Sequence, residues 1–424
     1  METDARQSVL LTVDHLFRHE SGKMIAILTR IFGVSQLQLV EDVVQESFLR
    51  AMQSWKFGNV PNNPSAWLMQ VAKNKVVDVL RKRNREQLYD STNNAFDLET
   101  NIPEYFHEQE IGDSQLRMIF TCAHPELKEE DRLALTLKTV SGFSIQEIAQ
   151  ALLSSEDAIQ KRLLRARAFI KEQNIQFEIP GGSALSARMD TTLSVLYLLF
   201  NEGYNSSKEE EFIRKDLCAE AMRLCKLLTE HAVCNTPSAN ALLSLMCFHA
   251  ARFESRISED NDMILLQQQD RSKWDRNLIN VGYSYLNRSS LGEDISVYHL
   301  ESAIAAEHCL SPSFQETNWP CILQLYDLLF ALKPTATVQL NRSIVLAEMG
   351  NIEEAIQSVL SIPNLDHLIK THYIYSTVLG DLYKRLSDAL KAKEFFEHAL
   401  TLTHSRAERN LIQQKLQGIN LNAN

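Results

Sequence analysis

FSIQEIAQALLSSEDAIQKRLLRARAFIK, residues 143–171, writes two short helices in succession, the second of them basic. Ser144 and Glu147 have the S-x-x-E spacing of a capping box, and Phe143 before the cap is placed to pack on Ile148 one turn later. The first helix therefore starts at Ser144 and runs to about Leu152. Ser154 or Ser155 supplies a second cap, with Glu156 and Asp157 in the first turn, where the positive end of the helix dipole favours acids. Beyond it Ile159, Leu163, Ala166 and Ile170 recur at helical spacing and define one apolar side, while Lys161, Arg162, Arg165 and Arg167 project elsewhere. A capped pair with a basic second member is the pattern of a helix-turn-helix. A basic solvated face on an ordinary helical hairpin would contain the same residues, so a second region has to carry part of the argument.

Residues 39–87 are that region. In LVEDVVQESFLRAMQSW, residues 39–55, Val40, Val44, Phe48, Ala51, Met52 and Trp55 fall on one helical stripe, with Glu41, Asp42, Gln45, Glu46 and Arg50 outside it. The outer face is acidic and amide-rich, suited to solvent or to docking a protein. KFGNVPNNP then reads as a loop, and Asn63 with Pro64 starts a new helix, asparagine at the cap and proline at the first helical position. Trp67, Leu68, Val71, Ala72, Val76, Val79 and Leu80 form its packed side, and Lys73, Lys75, Arg81, Lys82, Arg83 and Arg85 add positive charge that thickens toward its end. Such a row neutralises phosphates, and the loop asparagines (Asn59, Asn62, Asn63) with Phe57 are candidates to hold an extruded base of single-stranded DNA. For Trp67, core packing is the expected role.

Composition sets the frame. A chain of 424 residues is expected to hold more than one domain, and only 13 Gly and 10 Pro leave few breakers, which points to an all-α fold. A formal net charge of −11 excludes a protein that coats nucleic acid along its whole surface, yet Lys and Arg concentrate at residues 73–85 and 161–171. Seven cysteines are odd in number and scattered, as expected of buried thiols in a reducing cytoplasm. Cys122 and His124 form one close pair, but two ligands without two more nearby define no metal site. With no leader-like start and no apolar run long enough to span a bilayer, a cytoplasmic protein without a membrane role is expected. No nucleophile-elbow, phosphate-loop, zinc-protease or dinucleotide motif is present, so neither an enzyme nor a cofactor is expected.

With both modules in view, the chain resembles the bacterial extracytoplasmic-function sigma factors, alternative specificity subunits of RNA polymerase in the sigma-70 family. DVVQESFLRA followed by NPSAWLMQVAKNKVVDVLRKRNR looks like their σ2 domain, and SIQEIAQALLSSEDAIQKRLLRARAFIK like their σ4 domain, in the family's order. The resemblance implies that Asp42, Gln45, Glu46 and Arg50 dock on the clamp helices of bacterial core RNA polymerase. It implies that Phe57, Asn59, Asn62 and Asn63 capture a flipped base of the promoter −10 element, with Lys73, Asn74, Arg81, Lys82 and Arg83 along the strand. In σ4 it implies that Gln160, Lys161, Arg162 and Arg165 enter the major groove of the −35 element, where Arg and Lys suit guanine and Gln suits adenine. Arg167 and Lys171 would hold phosphates. The expected organisation is σ2 over residues 1–87, a flexible polar tether over 88–112, σ4 over 113–176, and a C-terminal helical extension over 177–424.

The extension departs from the short family member. After Pro180, Gly181 and Gly182, read as a hinge, helical patterns return in MDTTLSVLYLLFNEGYNSS, FIRKDLCAEAMRLCKLLTE and ANALLSLMCFHAARFESR. Setting Ala355 in register with Ala392 aligns Ser343 with Gly380, Leu346 with Tyr383, Val359 with Phe396 and Ile362 with Ala399. These are the small and large positions of a tetratricopeptide-like pattern at about residues 334–404. Gly203 reads as an interdomain contact or a helix C-cap. DRSKWDR, YHLESAIAAEH and TNWPCILQLYDLL resemble the extension of one sigma subgroup, which implies that control lies in the fused extension, with the repeats as a surface for a protein partner. The competing reading is a stand-alone helix-turn-helix regulator with a helical-repeat sensing domain. Such a regulator has no need of the first module and would instead dimerise on a palindrome.

Overall fold

The computed structural model describes residues 2–55, 59–88, 107–152, 154–205, 213–258, 263–292, 294–403 and 406–419. The described chain is helical and divides into two compact units, the first ending at Val195 and the second starting at Leu196.

The first unit contains α1 (Glu2–Phe32), α2 (Leu37–Ser54), α3 (Pro64–Leu88), α4 (Glu108–Cys122), α5 (Glu129–Thr139), α6 (Ile145–Ala151), α7 (Glu156–Glu172) and the first part of α8 (Ser183–Tyr204). Local chemistry sets the helix starts. Ser144 Oγ accepts from the Glu147 N–H at 3.1 Å while Glu147 Oε2 accepts from the Ser144 N–H at 2.8 Å, so the capping box opens α6. Of the two serines available for α7, Ser155 is the cap and accepts from the Ala158 N–H at 3.2 Å. Asn63 Oδ1 accepts from the Ala66 N–H at 3.0 Å ahead of Pro64 and opens α3.

Burial follows the helical stripes. Val40, Val44, Phe48, Ala51 and Trp55 are buried along α2, Leu68, Ala72 and Val76 along α3, and Ile159, Leu163, Ala166 and Ile170 along α7. The Trp67 ring stands 5.3 Å from buried Trp55, the packing role expected for it. α1 crosses the end of α5 at a separation that only glycine permits, since a Cβ on Gly22 would stand 1.9 Å from the Val140 carbonyl oxygen. Gly142 (φ +69°) completes the approach, its missing Cβ leaving room for Ser21 Oγ.

Three expectations are corrected. Residues 108–112, assigned to the tether, open α4, because Glu110 accepts from the His107 N–H at 3.1 Å and caps the helix; residues 89–106 lie outside the described residues. The extension does not begin as a separate body at 177. Arg188 of α8 donates to the Phe120 carbonyl at 3.1 Å and Arg117 to the Phe177 carbonyl at 3.3 Å, which ties the early part of α8 to the first unit. Gly203 lies within α8 rather than capping it, and its missing Cβ admits Leu217 and Cys218 of the following helix.

The second unit continues with α9 (Lys215–Glu230), α10 (Pro237–Ala250), α11 (Phe253–Arg256), α12 (Arg276–Ser289), α13 (Val297–Leu310), α14 (Trp319–Leu332), α15 (Ala336–Glu348), α16 (Ile352–Leu360), α17 (Leu365–Thr371), α18 (Tyr373–Arg385), α19 (Ala389–Leu402) and α20 (Arg406–Gln417). α10 is apolar on all sides and central, packed by α9, α12 and α13. Ser244 on it donates to the Gly282 carbonyl at 2.7 Å and accepts from Ser302 at 2.8 Å, which satisfies the hydroxyl at the middle of this deep helix. Farther along, α15 pairs with α16 and α18 with α19. Ser343 meets Ser358 at 2.8 Å across the first pair, and Gly380 lies against the Phe396 ring in the second. Ala355, Val359 and Ile362 are buried in one hairpin, and Ala392, Phe396 and Ala399 in the other.

Candidate nucleic-acid interface

On α2, Asp42, Gln45, Glu46 and Arg50 are all exposed on one face. Leu49 joins them, 53% exposed, an apolar residue that the periodicity argument passed over. Glu46 accepts an ion pair from Lys75 of α3 at 2.7 Å, with both side chains in solvent. Glu41 is the exception to the expected outer face. It is buried, because its carboxylate turns toward α5 and α7: Thr139 Oγ1 donates to Oε1 at 2.5 Å, and Arg167 Nη2 lies 2.5 Å from Oε2.

On α3, Arg81, Lys82 and Arg83 are exposed, Asn74 is exposed with its Oδ1 accepting from Gln70 Nε2 at 3.0 Å, and Lys73 is half-buried. In the preceding loop Asn59 and Asn62 are exposed, whereas Asn63 uses its side-chain oxygen as the α3 cap. Phe57 lies outside the described residues.

On α7 the predicted residues separate into two sets. Gln160, Lys161 and Lys171 are exposed. The three arginines each meet an acid of the same unit. Arg162 Nη2 lies 2.9 Å from Glu130, Arg165 Nη2 lies 2.8 Å from buried Asp131, and Arg167 reaches Glu41. The Asp131 carboxylate beside Arg165 raises that guanidinium's pKa further, so its charge is secure. Leu164, 61% exposed between Lys161 and Arg165, was missed by the stripe reading. Its signal was present in the sequence, since it falls off the 159-163-166-170 period and a large apolar residue there has no core to join.

The arrangement offers two surfaces of different character: an acidic and amide face with an exposed leucine on α2, and basic side chains along α3 and α7 of the kind that neutralise phosphates. Cys122 is buried near Glu41 and its thiol is pushed well up, chiefly by burial. His124 is held below its usual range by burial and the Arg188 charge and packs against Phe169. No group of three metal-ligating side chains occurs among the described residues. No helix among them is long and apolar enough to cross a membrane.

Comparison with known proteins agrees with this geometry. Residues 16–86 match Sigma-70 region 2 and residues 117–170 match Sigma-70, region 4. The ECF RNA polymerase sigma factor SigL of Mycobacterium tuberculosis is 30% identical over 124 residues, 29% of this chain and 67% of its own. The chain belongs to the ECF sigma factors of the sigma-70 family. The ECF sigma-E factor of Haemophilus influenzae is 28% identical over 159 residues, 36% of this sigma factor and 82% of its own length. Residues 188–290 match a family of unknown function. An uncharacterized protein of Rhizobium meliloti is 30% identical over 383 residues, 90% of each chain, so that likeness runs through the extension as well. No solved structure matches.

Proposed function

We propose that this sigma factor binds bacterial core RNA polymerase through the outer face of α2 and directs initiation at promoters with a −10 and a −35 element, catalysing no reaction itself. The observation that carries the reading is the joint occurrence of regions 2 and 4 in one chain, with Asp42, Gln45, Glu46 and Arg50 exposed together on α2. Acidic and amide side chains around Leu49 suit a protein surface. Asn59 and Asn62, with Phe57, would hold the extruded −10 base while Lys73, Asn74, Arg81, Lys82 and Arg83 follow the strand. Gln160, Lys161, Arg162 and Arg165 would read the −35 major groove, with Arg167 and Lys171 on phosphates. The domain limits that go with this reading are region 2 to residue 87, region 4 from about 108 to 176, and a regulatory extension after it. Within the extension, the hairpins α15–α16 and α18–α19 act as tetratricopeptide-like units that take a protein partner. Their support is the burial of Ala355 and Ala392 at equivalent places and the close approach at Ser343 and Gly380.

The test is run-off transcription with purified core polymerase and this chain on a pool of randomised upstream sequences, with start sites mapped by sequencing. Specific starts behind a shared two-part motif are expected. Duplex binding without any starts would overturn the reading.

A further inference from the structure

DRSKWDR, residues 270–276, lies outside the residues matched to regions 2 and 4. Its two flanking aspartates are structural. Asp270 Oδ1 accepts from the Ser272 N–H at 2.9 Å and caps a short 3₁₀ turn, and Asp275 Oδ1 accepts from the Asn277 and Leu278 N–H groups at 2.9 and 3.1 Å and opens α12. Between them Arg271 and Trp274 are buried. The Trp274 ring carries two cations, with the Arg271 Cζ 4.8 Å and the Arg252 Cζ 5.4 Å from its centroid.

Neither guanidinium makes an ion pair with a described carboxylate. Arg271 Nη1 donates to the His308 carbonyl at 2.6 Å and to the Ser311 carbonyl, at the C-terminal end of α13. Arg252 Nε donates to Gln269 Oε1 at 3.2 Å. The acid whose charge reaches Arg271, Glu316, is exposed and unbonded to it. A helix C-terminus offers roughly half a negative charge. Arg271, buried against that end, therefore keeps a surplus of positive charge, and half-buried Arg252 adds to it on the indole ring. The hydrogen-bond inventory points the same way: Arg271 Nη2, Trp274 Nε1 and His308 Nδ1 are all buried without a partner. The imidazoles add no charge of their own, since burial with the Arg252 and Arg271 charges pushes His308 down to about 3, and His249 beside it is likewise pushed down to about 3.

We propose that Arg252, Arg271 and Trp274 form a binding site for a small oxyanion-bearing ligand, a phosphate or carboxylate compound, in the extension of this sigma factor. Its anionic group takes the free donors of the two guanidiniums and the indole N–H. A hollow of about 530 Å³ beside the cluster, lined by Gln267, Gln268, Phe314, Gln315, Trp319 and Glu348, the last with its carboxylate paired to Arg385, receives the rest of the ligand. It adjoins the cluster at two places: the Trp319 ring lies 5.7 Å from His308, and Gln267 and Gln268 lead directly into Gln269. Amide and aromatic walls, with the Glu348 carboxylate already paired, suit a polar body.

The full chain is titrated with inorganic phosphate, succinate and sodium chloride at matched ionic strength, followed by calorimetry and thermal melting. Saturable binding at one site per chain by phosphate or by succinate is expected, and which of the two binds names the source of the anion. Arg252→Gln should weaken it by about tenfold, the effect of one charge-assisted bond. Arg252 is chosen because Arg271 also holds the end of α13. Trp274→Phe, which keeps the packing and removes the N–H, should weaken binding less. Stabilisation no greater than that by sodium chloride, or undiminished binding by an Arg252→Gln protein with unchanged circular dichroism, would overturn the proposal. No polymerase enters the experiment, so its outcome is independent of the transcription reading.

Discussion

The outer face of α2 and the basic side of α7 are both charged surfaces of the first unit, yet they differ in what their charges touch. Around α2, Asp42, Gln45, Glu46 and Arg50 stand in solvent, and Glu46 meets Lys75 with both partners exposed. On α7 each of three arginines is held by a carboxylate of the same unit, and one of those carboxylates, Glu41, comes from α2 itself. Helix α2 therefore has two opposite sides, one open to solvent and proposed for polymerase, the other tied to region 4 through Glu41. An exposed ion pair exchanges easily with a competing partner, whereas a buried one resists until the surfaces around it separate. If polymerase takes the open face as proposed, the order of release is that polymerase engages α2 first and the buried Arg167–Glu41 pair opens afterwards.

The largest effect is expected from breaking the fastening. Glu41→Ala leaves Arg167 and Thr139 facing a gap with their donors unpaired and should cost about 3 kcal/mol of stability in the first unit, read by chemical denaturation. The same variant should bind duplex −35 DNA more tightly than the parent chain in the absence of polymerase, because region 4 is no longer held. If affinity for DNA stayed the same while stability fell, Glu41 would be a packing residue and not a fastening.

Whether Arg165 is a reader or a strut can be separated from its neighbours. Lys161 is exposed and makes no ion pair among the described residues, so Lys161→Ala should leave stability within about 0.5 kcal/mol while costing about 1–3 kcal/mol in affinity for the cognate −35 sequence. Arg165→Ala should lose affinity and stability together, since it strands buried Asp131. Equal loss on every DNA sequence would make Lys161 a phosphate contact.

What could be read from the sequence follows the range of the interactions. Caps and stripes are local, so Ser144, the Ser154–Ser155 pair, Asn63 and the 159-163-166-170 period located α6, α7 and the start of α3. Glu41 was read as solvent-facing because its own helix says nothing of Thr139 and Arg167, which lie far downstream. The hinge reading at Gly181 and Gly182 failed for the same reason. Gly182 does adopt φ +58°, but the early part of α8 is held to the first unit by Arg188, a contact no local pattern announces. A truncation after Pro180 would thus remove part of the first unit along with the extension. The pairing of Arg252 and Arg271 on one indole was equally hidden, being an arrangement of the turn between α10 and α11, a 3₁₀ turn and α13 rather than of neighbours in sequence.

The smallest effect belongs to the open side of α2. Lys75→Ala removes a partner from Glu46, but the pair is in high dielectric and screened by salt, so stability should change by no more than about 0.5 kcal/mol. Its value lies in the contrast with Glu41→Ala. If Glu46 is a polymerase contact, freeing it should leave affinity for core polymerase unchanged or slightly raised, as measured by surface plasmon resonance at two salt concentrations. A loss of polymerase affinity in Lys75→Ala would mean that the Glu46–Lys75 pair is presented to polymerase as a unit. The open face would then be as constrained as the basic side of α7, and the proposed order of release would have no physical basis.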